Sequence, residues 1–218
     1  MKGAVVRSVA GLEDLALVKA AFIGRVAGVN VDADRDTVLT RLASVHEEIR
    51  SGLGLGSMVF ATVEQVHGEA VAVVGRSHRF PVRECDALVT NERGVCLGIY
   101  VADCAAVYLV DRGGRGVGLV HSGRRGTELA IVPEAVDRLC GTCGANPGDL
   151  IASISPCIRP PNYEIDFAAE IHRQLSASGI KEIHDTGECT AREAGLWYSY
   201  RRAKGRTGRM LALLALTQ

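Results

Sequence analysis

Residues 101–127 read "VADCAAVYLVDRGGRGVGLVHSGRRGT", two apolar runs joined by a turn rich in glycine and arginine. Glycine and aspartate at the centre with β-branched residues on both sides mark a β-hairpin. A tight loop at Arg112 and Gly113 predicts Asp111 opposite Gly114 and Val110 opposite Arg115, and that register sets Cys104 opposite His121. Directly opposed residues of an antiparallel pair hold their Cβ atoms about 4.5–5.5 Å apart, near enough for a thiolate and an imidazole to share one tetrahedral ion. The register matters because a slip of one residue would send the two side chains to opposite faces.

The neighbouring segments give the hairpin its sheet. Short β-rich runs follow one another at 58–63, 70–74, 86–90, 95–103, 105–111 and 116–123, too closely spaced for crossover helices, so the sheet is predicted to be mixed and largely antiparallel. "DLIASIS" and "RMLALLAL" add two further strands. Helical spacing places Val38, Leu42, Val45 and Ile49 on one face over 34–50, and helices are also predicted over 126–140, with Pro133 near the start or at a kink, and over 166–178. The prediction is an α+β fold of a single domain over 1–218, a sheet core flanked by helices, with two sheets packed face to face as one arrangement.

Composition narrows the functional classes. The 218 residues carry 25 basic and 25 acidic side chains, a formal net charge of zero, which gives no electrostatic reason to expect nucleic acid or a membrane surface as partner. Arg7, Glu13 and Asp14 interrupt the N-terminal apolar residues before a signal core forms, so a cytoplasmic location is expected. Seven cysteines without a secretion signal read as thiols.

His67, on a turn beside Gly68, is the candidate third partner for Cys104 and His121. Three protein ligands and an open fourth position make the pattern in which Zn²⁺ activates water, and Asp103 beside the cysteine is the candidate acid or base. The same residues also read as a buried thiol and two ordinary histidines, and spacing alone does not choose. "CGTC" at 140–143 lacks a second such pair and reads as reduced thiols near a helix end, and His46 reads as a partly solvated helix residue. The basic run Arg201, Arg202, Lys204, Arg206 and Arg209 reads as solvated surface, or as the source of one arginine for a phosphate or carboxylate.

Together "QVHG" (65–68), "DALVT" (86–90), "ADC" (102–104), "HSGRRGT" (121–127), "SPCI" with "NYEI" (155–165) and "YSYRR" with "TGRM" (198–210) resemble the YfiH-like laccase-domain family, also called multicopper polyphenol oxidoreductases. The resemblance implies a CNF/YfiH-like fold and a zinc site of His67, Cys104 and His121. It also implies a purine nucleoside phosphorylase acting on adenosine, inosine and methylthioadenosine, with adenosine deaminase as a second activity and nucleoside and phosphate as partners. Asp103 and Cys104 are then the catalytic candidates, and Arg125 and Arg201 the candidate substrate-binding residues. The chain departs from the family pattern at Ser122, Arg124 and Ser155, where Ala, Trp and Gly are usual, and at Arg41-Leu42, where an Asn-Arg pair is usual. A cysteine hydrolase that edits cell-wall precursors is the alternative implied for the same Cys104 and His121. Copper oxidation of polyphenols is disfavoured, because six scattered histidines with no H-x-H pair cannot fill a multicopper centre.

Overall fold

The computed structural model describes residues 3–217. In chain order the strands are β1 (Ala4–Arg7), β2 (Val18–Val26), β3 (Val59–Thr62), β4 (Val71–Val73), β5 (Ala87–Thr90), β6 (Val95–Val101), β7 (Ala105–Asp111), β8 (Val117–Ser122), β9 (Leu150–Ile154), β10 (Glu182–Asp185) and β11 (Met210–Leu216). The helices are α1 (Arg35–Gly52), α2 (Arg124–Glu128), α3 (Ile131–Cys143) and α4 (Phe167–Ala177). One sheet has the order β1-β2-β11-β6-β3 and the other β10-β9-β7-β8-β5-β4.

The two sheets face each other. Alternation along β7 decides which layer each residue joins: Ala106, Tyr108 and Val110 meet Phe22, Leu97, Ile99 and Leu214 of the first sheet. Ala105, Val107 and Leu109 point the other way, onto the apolar faces of α3 and α4. On the far side of the first sheet Ile23, Cys96, Leu211 and Leu213 pack against Ile49 of α1. The order of layers is therefore helix, sheet, sheet, helix, and strands covered on both faces need not alternate with polar residues. This is why β7, β8, β9 and β11 are buried at every position.

The α+β architecture and its largely antiparallel pairing are those predicted, and the two packed sheets are the arrangement that the sequence left open. Parallel pairs join β3 to β6, β4 to β5, and β9 to β10. Strands β1, β2 and β10 were not predicted. Where one helix was predicted over 126–140 there are two, separated by Ala130 in the left-handed conformation at φ 60°. Pro133 then falls in the first turn of α3, where its missing N–H has no intrahelical partner to lose.

The hairpin register differs from the prediction by two residues. The connection is four residues long, Arg112–Arg115, because the Asp111 carboxylate accepts hydrogen bonds from the Arg115 main-chain N–H and guanidinium while Gly114 turns at φ 69°. Ala106 consequently faces His121 and Ala105 faces Ser122. An even shift preserves the side-chain face, so Cys104 and His121 remain on one side of the sheet as diagonal neighbours.

His46 is a second correction. It is 3% exposed, stacked on Tyr100 with ring centroids 5.8 Å apart, and neither ring nitrogen has a hydrogen-bond partner among the described residues.

Candidate metal centre

The ring nitrogens of His67 and His121 and the sulfur of Cys104 lie within 4.8 Å of one another. Three features of the chain bring them together. His121 is the penultimate residue of β8, on the face that looks toward the first sheet. Cys104 follows a bend at which Asp103 adopts φ 85°, and Gly123 lies so close that a Cβ there would sit 2.4 Å from the cysteine sulfur. His67 comes from the loop after β3, where Gln65 and His67 both adopt left-handed φ, 64° and 59°.

That loop is held from below by a residue that no spacing singled out. The fully buried carboxylate of Asp86 accepts hydrogen bonds from three successive main-chain N–H groups, those of Val66 (3.1 Å), His67 (2.9 Å) and Gly68 (2.8 Å). The same carboxylate lies 2.8 Å from His121 Nδ1. A carboxylate only accepts, so Nδ1 carries the proton and Nε2 is left to face Cys104 and His67. Asp86 thus fixes one histidine by its tautomer and the other by its backbone, and it offsets the left-handed strain at His67, about 1 kcal/mol for a non-glycine residue. The one available signal was an acid immediately before the strand "ALVT", which is buried at every position.

Electrostatics follow from these contacts. Burial alone would push the Cys104 thiol up, but the positive charge of His121 and hydrogen bonds from His121 and His67 bring its pKa down to about 6. Burial works against a charged His121 as well, yet the Cys104 thiolate and the Asp86 carboxylate hold its pKa up at about 9. Burial also opposes the Asp86 charge, and the bonds from His121, Gly68 and His67 still keep it below the ordinary carboxylate range. A ready thiolate beside two imidazoles, one anchored through its outer nitrogen, is a donor set that fits zinc. Among the described residues no other group of histidine, cysteine and acid ligands meets in this way.

The three residues open into a cavity of about 720 Å³. Arginines 35, 124, 125, 201 and 209 line it, with Tyr100, Tyr163, Phe167 and Tyr200 among them. Both predicted substrate-binding arginines therefore face the space beside the cluster. Arg125 makes no ion pair among the described residues. Arg201 lies over the Tyr163 ring at 4.7 Å and pairs with Glu164 at 3.2 Å. Asp103, the predicted acid or base, is 7% exposed and its carboxylate is occupied by Thr190 Oγ1 (2.6 Å), Ser199 Oγ (3.1 Å) and the main-chain N–H of Arg201 (2.7 Å). It ties the 199–201 segment to the bend that presents Cys104.

A family model described as "Multi-copper polyphenol oxidoreductase laccase" matches residues 21–168 and 165–217. The chain belongs to that family. It is 32% identical over 219 residues to a protein of Deinococcus radiodurans named purine nucleoside phosphorylase, covering 88% of this chain and 84% of that one. It is likewise 32% identical to the purine nucleoside phosphorylase ORF3 of Streptomyces griseus, over 72% of this chain and 74% of the relative. Among solved structures, YlmD from Geobacillus stearothermophilus superimposes with a TM-score of 0.83 at 25% identity, over 94% of this chain and 93% of that one. Membership of the YfiH-like family and the α+β fold agree with the sequence-based expectation, and no helix among the described residues is long and apolar enough to cross a membrane.

Proposed function

We propose that this chain, as one domain over 1–218, is a zinc-dependent purine nucleoside phosphorylase acting on adenosine, inosine and methylthioadenosine in the cytoplasm, with adenosine deamination as a second activity. The observation that carries the reading is the His67, Cys104 and His121 cluster opening into a cavity walled by arginines and aromatic rings. Relatives at 32% identity that bear the name purine nucleoside phosphorylase support it. In phosphorolysis an oxygen of phosphate forms a bond to C1′ of the ribose as the bond from C1′ to the purine nitrogen breaks; the electron pair leaves with the purine, which takes up a proton. Tyr163 and Phe167, ring centroids 5.9 Å apart, offer apolar faces to a planar base, and the arginines offer charge to the phosphate.

His67, Cys104 and His121 would hold the zinc, which supplies Lewis-acid chemistry when bound. Asp86 orients His121 and the His67 loop. Asp103 is read as a positioning residue for Arg201 and Cys104, because its carboxylate is already committed to three donors. Thiolate and imidazole donors numbering three suit a single zinc and fall short of a multicopper centre. The test is incubation of purified protein with adenosine, with and without phosphate. Adenine and ribose 1-phosphate are expected only with phosphate, and inosine in either case; absence of all three products would reject the reading.

One observation favours a second reading, a cysteine hydrolase acting on cell-wall precursors: the lowered thiol pKa beside His121 is also what a nucleophile needs. Alkylation of Cys104 that zinc does not slow would favour the hydrolase.

A further inference from the structure

Of the three cavity-wall arginines that make no ion pair among the described residues, Arg125 is exposed to solvent, whereas Arg35 is half-buried and Arg209 is buried. Arg124 is neutralised by Glu128 at 2.9 Å and Arg201 by Glu164 at 3.2 Å. Arg209 is 9% exposed, yet neither it nor Arg35 has a carboxylate within 4 Å among the described residues. Arg209 Nη1 donates to the carbonyls of Thr207 (2.8 Å) and Gly208 (3.1 Å), and its Nε and Nη2 find no acceptor among the described residues. Arg35, at the start of α1, gives one bond from Nη2 to the Glu64 carbonyl at 3.2 Å. A guanidinium withdrawn this far from water is costly without an opposite charge, and a second like charge on the same wall adds to the cost. Burial and the nearby charge of Arg35 both disfavour a charged Arg209. The Tyr200 ring, 5.9 Å from Arg209, and the more distant charges of Cys104 and Asp103 only partly offset this.

We propose that Arg35 and Arg209 form the phosphate subsite of this cavity, two planar forks that close on one tetrahedral dianion and supply the counter-charge they lack within the protein. The role as co-substrate site rests on the phosphorylase reading; the anion site itself does not. Arg124 and Arg201 are already neutralised in place by Glu128 and Glu164. A guanidinium donates in one plane with fixed spacing, which suits phosphate oxygens better than a lysine would.

The test is calorimetric titration of inorganic phosphate into the full zinc-loaded chain and its variants. Arg35→Gln, a half-buried residue whose loss leaves the core untouched, should weaken phosphate binding about tenfold, the loss of one charge-assisted contact. Arg209→Lys should weaken it at least as much, and the double variant should show no measurable binding, while Arg173→Gln on the outer face of α4 keeps wild-type affinity. Unchanged affinity in Arg35→Gln, or loss of binding in Arg125→Gln while Arg35→Gln binds normally, would overturn the assignment. Adenosine 5′-monophosphate in a parallel titration separates the two sources of the dianion. Loss of inorganic phosphate binding identifies free phosphate, whereas a mononucleotide that binds through Arg35 when inorganic phosphate does not identifies a phosphorylated nucleoside. A wild type that binds phosphate through these arginines but cleaves no nucleoside would sink the phosphorylase reading and leave the subsite standing. Phosphorolysis with a normal KM for phosphate in Arg35→Gln would do the reverse.

Discussion

Asp86 and Asp103 are both buried acids, both lie beside a residue of the His67, Cys104 and His121 cluster, and each gathers donors from a separate segment of chain. They differ in what they hold. Asp86 takes an imidazole and three main-chain N–H groups, so its charge reaches the cluster directly through His121. Asp103 takes two hydroxyls and the N–H of Arg201, so its influence goes to the arginine rim and to the bend before Cys104. The same residue type therefore serves the metal ligands on one side and the substrate wall on the other, and the partners, more than the burial, decide which.

Removing each carboxylate should separate these roles. Asp86→Asn keeps the shape but turns an acceptor into a donor against His67 or Gly68, and it withdraws the anchor from His121. Zinc affinity measured by competition with a chelator should fall about 10–100-fold. Asp103→Ala should leave zinc affinity within about twofold, while the donors of Thr190, Ser199 and Arg201, left without their acceptor, lower stability by about 3 kcal/mol in denaturant titration. The KM for nucleoside should rise with little change in kcat. Equal losses of zinc from the two variants would erase the distinction between them.

The cluster itself gives a pH test that depends on Asp86. In the metal-free protein the thiolate of Cys104 forms as pH rises through about 6, so alkylation by iodoacetamide should reach half its maximum rate there. His121→Ala removes the larger of the two imidazole contributions that oppose burial, and the midpoint should move up toward the ordinary value of 9, with His67 still acting on the thiol. Asp86→Asn should move it less, because Asp86 acts on the thiol only through the imidazole. A midpoint near 9 in the unaltered chain would break the proposed coupling.

The fold was largely legible in the sequence because strands covered on both faces leave unbroken apolar runs, and 95–101, 105–111 and 117–122 read that way without a partner in view. Strand β2 was hidden by Lys19 and Arg25, which interrupt a shorter apolar run. The pairing of Cys104 with His121 was legible as a shared face and illegible as a register, since the loop length was set by the Asp111 side chain closing on Arg115. Asp86 was invisible for a different reason. Its partners come from 66–68 and 121, and a carboxylate that works through main-chain N–H groups leaves no mark in the spacing of side chains. The arginine contrast was likewise hidden, because only the structure pairs Arg201 with Glu164 while leaving Arg209 without an acid within 4 Å among the described residues.

His46 completes the comparison as a buried polar group with no hydrogen-bond partner among the described residues. Both ring nitrogens are sealed without a hydrogen bond, and burial pushes its pKa down to about 4. The unfolded chain binds a proton near pH 6.5 that the folded one refuses until about pH 4, so stability falls as pH drops through that window. At pH 5 the difference is about 2 kcal/mol, from 1.36 kcal/mol per unit of pKa. His46→Phe keeps the ring against Tyr100 and removes the titration. Urea unfolding should therefore show the variant gaining about 2 kcal/mol over the unaltered chain at pH 5 and much less at pH 7. A gain of the same size at both pH values would mean that the unmet nitrogens cost stability as neutral polar atoms, and that protonation has no part in it.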